Sequence, residues 1–265
     1  MNINLAIIER AKAGEALTAA ELDELRAADV LSLGMLADEV RRARVGDTVT
    51  YACDAESRLT MLPATLTEAI DAVRSAQSAV GSVTGYSLAD IIDRDWGPID
   101  QVLAQLKSAG LDALAEAPID RVADLSTALA AARKAGVAVR CLSLQKPLTG
   151  DRTAFLVALR AIVTQFPEIE TVAPLPREQS IAVPTTGYDD VRAVALARLA
   201  LPSVKNIQVD WAQYGPKLAQ VALTFGANDL DRVSSVDDPA LGRRRASAAD
   251  VRRNIAAAGF AAVER

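Results

Sequence analysis

The segment IDQVLAQLKSAGLDALAEAPIDRVADLSTALAAARKAGVAVRCLSL (Ile99–Leu144) contains the clearest secondary-structure pattern of the chain. It reads as a helix closed by Gly110, a short apolar strand, a helix closed by Gly136 and a second apolar strand. Helices that alternate with short strands indicate βα units, in which helices cover a parallel sheet. This segment therefore predicts an α/β protein.

The same alternation extends along the chain. Strands are predicted at Thr48–Cys53, Leu111–Ala117, Val137–Leu144, Glu170–Leu175, Asn206–Trp211, Asp229–Val233 and Phe260–Val263, and a loop at Gly81–Gly85. At least five βα units fit, which favours a (β/α) barrel, shortened or partial, over an open doubly wound sheet. Residues 1–47 have helical patterns, including a capping box from Thr18 to Glu21. We therefore expect an N-terminal helical extension at 1–47 and a partial β/α barrel domain at 48–265.

Composition excludes several classes of protein. The chain has 265 residues, with 34 acidic and 29 basic side chains, two cysteines and no histidine. Without histidine there is no Ser-His or Cys-His nucleophile, and the commonest metal ligand is missing. A net charge of −5 argues against nucleic-acid binding, and charges interrupt every apolar run before it could span a membrane. We predict a soluble cytoplasmic protein without a metal or other cofactor.

Candidate site residues follow the predicted strands, because parallel barrels place ligands at the carboxyl ends of their strands. Arg140 lies within an apolar strand; if that strand is central in the sheet, Arg140 needs a buried partner, for which Asp210 is the candidate. Glu116 and Asp229 are candidate acid–base groups, and Arg177 could bind a carboxylate or phosphate. The remaining candidates for ligand binding are Gln145, Gln213 and Asn228. Polar strand ends that are merely exposed to solvent are the alternative interpretation.

Three stretches of the sequence resemble a known family. They are LGMLADEVRRARVGDTVTY (Leu33–Tyr51), the run Leu88–Leu114 with LKSAGLDAL at Leu106–Leu114, and TTGYDDVRAVALARLALPSVKNIQVDWAQYGPKLAQVALTFGANDLD (Thr185–Asp231). They are similar to the radical S-adenosylmethionine enzymes of the futalosine route to menaquinone, dehypoxanthine futalosine cyclase and aminofutalosine synthase. The resemblance implies a barrel fold and places the Trp211–Gln213 strand end, Asn228 and Asp229 near a substrate pocket.

The chain departs from that family at its cofactor. In the family, the strand that ends in VTY leads into a CxxxCxxC loop, which binds a 4Fe–4S cluster. Here Tyr51 is followed by ACDAESRLTMLPATLTEAI, with a single cysteine. Cys53 and Cys141 cannot supply three thiolates at the required spacing. We therefore expect no iron–sulfur cluster and no radical chemistry.

Three functions remain open. The first is a cluster-less paralogue that binds a small carboxylated or nucleoside-like metabolite, in a pocket with Arg140, Asp210, Gln213 and Asn228, or that pairs with an intact pathway enzyme. The second is a repurposed enzyme in which Glu116, Asp210 or Asp229 acts as a base beside an arginine. The third is a structural partner subunit, since a shortened barrel leaves a sheet edge that a second copy or another chain would cover.

Overall fold

A computed structural model describes residues 3–53, 58–178, 184–234 and 248–265. The helices are α1 (Leu5–Ala13), α2 (Ala19–Ala27), α3 (Val30–Val45), α4 (Leu66–Val80), α5 (Leu88–Asp93), α6 (Ile99–Ala109), α7 (Leu125–Ala135), α8 (Arg152–Gln165), α9 (Gly187–Ala200), α10 (Trp211–Leu223) and α11 (Ala248–Ala257). The strands are β1 (Thr48–Cys53), β2 (Arg58–Leu59), β3 (Val83–Ser87), β4 (Leu111–Pro118), β5 (Ala138–Val139), β6 (Leu142–Leu144), β7 (Thr171–Pro176), β8 (Asn206–Asp210), β9 (Asp229–Val233) and β10 (Ala261–Glu264).

The chain divides into two compact units. The first comprises Met1–Asp54 and Lys146–Arg265, and the second comprises Ala55–Gln145. In the first unit the strand order is β10-β1-β9-β8-β7, and the pairs are parallel. In the second unit the order is β6-β4-β3-β2, with β5 also paired to β4, and its strands are parallel as well. The predicted parallel α/β class is confirmed.

Capping residues at their N-termini fix where α2 and α4 begin. Thr18 caps α2 and Glu21 returns the hydrogen bond, so the predicted capping box forms. A second box joins Thr65 to Glu68 at α4. These side chains satisfy backbone N–H groups that have no partner inside the helix. The helices α1, α2 and α3 precede β1.

Two predictions about the second unit are wrong. The segment 81–85 was expected to be a loop, but β3 begins at Val83. A Cβ atom at Gly85 would lie 2.5 Å from the Cβ of Leu59, so this glycine permits the close approach of β2. The segment 137–144 was expected to be one strand, but it forms β5 and β6. The break falls at Arg140, whose side chain is exposed.

Candidate functional site

The sheet of the first unit carries polar residues on one of its faces. The register pairs Asp229 with both Thr50 and Gln208, and pairs Asp210 with Asp231. Because side chains alternate along a strand, Gln208 and Asp210 lie on the same face as Asp229 and Asp231. The helices α9 and α10 pack against β7, β8 and β9. These polar residues come from three adjacent strands of one sheet, β1, β9 and β8.

Arg177 follows β7 directly and joins the polar residues of β8. Its Nη1 donates to Oδ2 of Asp210 at 3.0 Å, and its Nη2 donates to Oε1 of Gln208 at 2.9 Å. The same Nη2 lies 3.7 Å from Oδ2 of Asp231. The side chains of Arg177 and Asp210 are each 2% exposed. They therefore form a buried ion pair with an additional polar partner.

Asp229 is completely buried and receives four hydrogen bonds. Arg265 donates from Nε to Oδ1 at 2.9 Å and from Nη2 to Oδ2 at 3.0 Å. Thr50 Oγ1 donates to Oδ1 at 2.5 Å, and Gln208 Nε2 donates to Oδ2 at 2.6 Å. Gln208 thus connects the Asp229–Arg265 pair to the Arg177–Asp210 pair. The two ion pairs belong to one hydrogen-bonded network.

Arg232 reaches the same network through an unusual backbone conformation. Its φ of 56° lies in the left-handed region, which costs an arginine roughly 1–2 kcal/mol. Its Nη1 lies 3.3 Å from Oδ2 of Asp210, although the neighbouring Asp231 already occupies this face of β9. A regular strand would direct two consecutive side chains to opposite faces. The left-handed backbone at Arg232 therefore allows a second arginine, in addition to Arg177, to contact Asp210.

These residues form what we call the Asp–Arg network. It contains Asp210, Asp229, Asp231, Arg177, Arg232 and Arg265, with Gln208 as the connecting amide. Negative and positive side chains are equal in number. Tyr214 adds a phenol at its edge, donating to the carbonyl of Pro176 at 2.8 Å. Burial raises the pKa of Tyr214 far above its ordinary value, so the phenol stays protonated and remains a donor.

The structure brings three of the predicted site residues together: Arg177, Asp210 and Asp229. Gln213 contributes its backbone amide, which donates to Oδ1 of Asp210 at 2.9 Å, so that Asp210 caps α10. Asn228 lies before β9, at the amino end of the strands, where its Oδ1 accepts from Arg198 at 2.5 Å and from the amide of Ile207 at 2.9 Å. Asn228 is therefore part of a different group of contacts.

Sequence reasoning missed four members of the network. They are Gln208, Asp231, Arg232 and Arg265. The signal for two of them was present, because Gln208 and Asp231 each stand two residues from a predicted candidate on the same strand. Alternation places such residues on one face. No comparable pattern indicates Arg232 or Arg265.

The other predicted residues lie in the second unit. Arg140 is exposed and its amide donates to the carbonyl of Leu114, so the expectation that it needs Asp210 as a buried partner is wrong. Asp210 pairs with Arg177 instead. Gln145 is half-buried, and its backbone N–H donates to Oδ1 of Asp120 at 2.8 Å. Of the four residues expected to line one pocket, Asp210 and Gln213 are in contact.

Glu116 is buried on β4, and the register places it beside Ser87 of β3. Ser143 pairs with Pro118 two residues further along β4, so it lies on the same face as Glu116. Within the described ranges, the hydroxyls of Ser87 and Ser143 are buried and have no hydrogen-bond partner. The second unit thus has its own polar group at the carboxyl ends of its strands.

The cysteines do not fit the cluster of the resembled family. Such a cluster needs thiolates for its irons, whereas the chain has two cysteines, of which Cys53 is half-buried and Cys141 is buried. Among the residues that the structure describes, no group of three or more His, Cys, Asp or Glu side chains could hold a metal ion. In the same ranges, no helix has the length and apolar character that crossing a membrane requires.

The chain is similar to several known proteins. Residues 158–265 match the family model described as the CofH/MqnC C-terminal region. A Methanosarcina barkeri protein named 5-amino-6-(D-ribitylamino)uracil–L-tyrosine 4-hydroxyphenyl transferase 2 is 32% identical over 161 residues, which cover 50% of this chain and 42% of that protein. A transferase of the same name in Methanosphaerula palustris is 39% identical over 89 residues, which cover 30% of this chain and 24% of that protein. The chain thus spans less than half the length of these relatives.

Solved structures share the fold. Methylornithine synthase has a TM-score of 0.72 at 14% identity, and the alignment covers 97% of each chain. The [FeFe]-hydrogenase maturase HydG has a TM-score of 0.63 at 13% identity, covering 97% of this chain and 74% of that one. Neither transferase name refers to futalosine or menaquinone, so the predicted pathway is not confirmed. The predicted resemblance is confirmed over residues 158–265, which are similar to the C-terminal region of the CofH and MqnC proteins.

Proposed function

We propose that this chain is a non-radical relative of the CofH and MqnC proteins that binds a small carboxylated or nucleoside-like metabolite at the Asp–Arg network. The observation that carries the proposal is the pairing of two buried aspartates with arginines on one sheet face: Asp210 pairs with the buried Arg177, and Asp229 pairs with the partly exposed Arg265. The carboxyl ends of parallel strands are where α/β proteins hold their ligands.

Stability alone is a weak reason to keep such a network. Removing charges from water costs several kcal/mol per ion, and apolar residues of similar volume are often equally stabilising. A backbone strained at Arg232 adds to that cost, and strain of this kind concentrates at functional sites. A binding role explains why charged residues occupy positions that apolar residues could fill.

The chemistry of the network suits two kinds of ligand group. The side chains of Arg232 and Arg265 are 38% and 40% exposed, and buried aspartates orient their guanidinium groups. A guanidinium held in this way binds a carboxylate well, while aspartate oxygens accept hydrogen bonds from hydroxyl and amino groups. The names of the relatives supply suitable probes: L-tyrosine is a carboxylated aromatic molecule, and 5-amino-6-(D-ribitylamino)uracil resembles a nucleoside.

The non-radical part of the proposal rests on the two cysteines of the chain. It predicts a colourless protein after anaerobic reconstitution with iron and sulfide. A brown chromophore with one cluster per chain would overturn that part and leave the ligand test below unaffected.

Ligand binding is tested by thermal unfolding with L-tyrosine, 5-amino-6-(D-ribitylamino)uracil and dehypoxanthine futalosine. A ligand that binds the folded state raises the melting temperature. We expect Arg232→Gln to weaken binding about 10- to 100-fold, because a charged hydrogen bond is lost. The control Arg253→Gln changes an arginine that is 75% exposed on α11 and should leave affinity unchanged. No response to any of the three probes, or equal losses in both variants, would refute the site.

A second candidate function is acid–base catalysis. The observation that favours it is the burial of all three predicted acids, Glu116, Asp210 and Asp229. It predicts turnover of a bound probe that disappears in Asp210→Asn although the probe still binds. Binding without turnover would favour the first function. Association with a second copy or with an intact pathway enzyme stays a prediction, and size-exclusion chromatography tests it.

A further inference from the structure

One face of α3 combines small residues with two arginines. Gly34, Ala37, Arg41 and Arg44 follow one another at steps of three, four and three residues, which align along one side of a helix. A Cβ atom placed on Gly226 would lie 3.2 Å from the Cβ of Ala37 and 2.9 Å from the Cβ of Arg198. This face of α3 therefore packs against the turn before β9 and against α9.

Arg198 is fully buried in that contact and has neutral acceptors. Its Nε donates to the carbonyl of Gly226 at 2.8 Å, its Nη1 to the carbonyl of Lys205 at 3.1 Å, and its Nη2 to Oδ1 of Asn228 at 2.5 Å. Burial lowers the pKa of Arg198 to about 9, and repulsion from Arg44 and Arg41 contributes to this shift. The guanidinium is still a cation at neutral pH.

Arg41 and Arg44 bring two more cations to the same region. Arg41 is fully buried; its Nε donates to Asp38 at 3.0 Å and its Nη1 to the carbonyl of Gly46 at 2.8 Å. Arg44 is half-buried. Across the described parts of the chain, Arg41 Nη2 and Arg44 Nη1 are buried without a hydrogen-bond partner. Burial lowers the pKa of both arginines.

We call Arg41, Arg44 and Arg198 the arginine cluster. Among the described residues, Asp38 accepts a hydrogen bond from Arg41 of the cluster, and it also accepts from the exposed Arg42 at 2.8 Å. The nearby carboxylate of Asp47 also favours the charged form of Arg41. Carbonyl oxygens can satisfy N–H groups but cannot cancel charge, and an unbalanced buried charge is very costly. Buried donors in native proteins nearly always have a partner. The cluster thus has both excess positive charge and unused donors.

We propose that the arginine cluster binds a small inorganic anion. The unpartnered Nη atoms of Arg41 and Arg44 would donate to it, and the half-buried Arg44 gives it a route from solvent. A water molecule could accept the hydrogen bonds but would leave the charge uncompensated. The site lies at the amino ends of β1, β8 and β9, so it is separate from the Asp–Arg network and does not depend on the function proposed for that network.

Thermal unfolding at constant ionic strength tests the proposal, with potassium gluconate replaced stepwise by phosphate, sulfate or chloride. We expect a saturable rise of about 3–6 °C in the melting temperature when the anion reaches roughly ten times its dissociation constant. The anion with the strongest effect identifies the natural class of ligand. Identical curves for all three anions, or no saturable rise, would overturn the proposal, because they would indicate general salt effects.

The variant Arg44→Met removes one uncompensated guanidinium and keeps a long apolar side chain. In gluconate it should melt at or above the temperature of the wild type, and its response to the anion should be lost. The matched control Arg42→Gln changes an exposed arginine on the same helix that is not part of the cluster, and it should retain the response. Calorimetric titration should give one anion per chain for the wild type and for Arg42→Gln. A response in Arg44→Met equal to that of the wild type would refute the site.

Discussion

The Asp–Arg network and the arginine cluster both lie in the first unit, but they differ in how the positive charge of their arginines is compensated. In the Asp–Arg network every guanidinium contacts at least one aspartate. In the arginine cluster, by contrast, Arg198 contacts carbonyl and amide oxygens, and Arg44 has a buried Nη1 without a partner among the described residues. Aspartates thus balance the charge of the Asp–Arg network, whereas the arginine cluster has mostly neutral acceptors and two buried donors without a partner among the described residues. The comparison shows that hydrogen bonds to neutral oxygens do not compensate a buried charge.

The largest effect is expected from breaking the balanced group. Asp229→Ala leaves Arg265, Gln208 and Thr50 without their shared acceptor. Removing one partner of a fully buried ion pair typically costs about 3–5 kcal/mol. Because Arg265 is 40% exposed, we expect a loss at the lower end of that range in the free energy of unfolding from urea titration. The control Asp250→Ala breaks the surface pair with Arg253 and should cost at most about 1 kcal/mol. Equal losses would show that the network does not act as a buried unit.

A smaller effect is expected from crowding the arginine cluster. Gly226 has a φ of 102°, and a Cβ there would lie 2.9 Å from the Cβ of Arg198. Gly226→Ala should therefore lose about 2–4 kcal/mol of unfolding free energy through backbone strain and overpacking. The control Gly259→Ala has a φ of 85° with nothing within 4 Å, so it measures strain alone. The difference between the two variants in unfolding free energy measures the cost of overpacking against Arg198.

The smallest effect concerns a buried aspartate outside both groups. Burial raises the pKa of Asp190, whereas the Thr186 hydroxyl and amide lower the pKa of Asp189. A raised pKa means that the folded state binds the proton more tightly, so the contribution of Asp190 to stability falls as pH rises through its pKa. Asp190→Asn should therefore raise the melting temperature at pH 7 and have no such effect at pH 3.

Asp189→Asn is the matched control for that pH dependence. Its lowered pKa contributes stability above the unfolded value, and this contribution is lost in acid. The substitution should lower the melting temperature at pH 7, and the shift should be smaller at pH 3. If both variants shift in the same direction at pH 7, the two aspartates do not differ as their surroundings indicate.

Periodicity predicted most of the elements but not their interruptions. The predicted strands Thr48–Cys53 and Asp229–Val233 have the bounds that the structure gives to β1 and β9. The strand at Val83–Ser87 was missed because Gly81 and Gly85 suggest a turn, whereas Gly85 is needed where β2 approaches closely. A single charge in an apolar run left open whether Arg140 is buried or exposed, since periodicity does not report where a strand breaks.

The parallel α/β class and the shared face of the polar residues on β8 and β9 can be predicted from the amino-acid sequence, because alternation is a local property of a strand. The partners of these residues cannot be predicted in this way, because they depend on how the strands are arranged. Arg177 meets Asp210 across 33 residues, and Arg265 meets Asp229 across 36 residues. These contacts depend on the order β10-β1-β9-β8-β7 and on its register, which result from packing between segments that are distant in the chain.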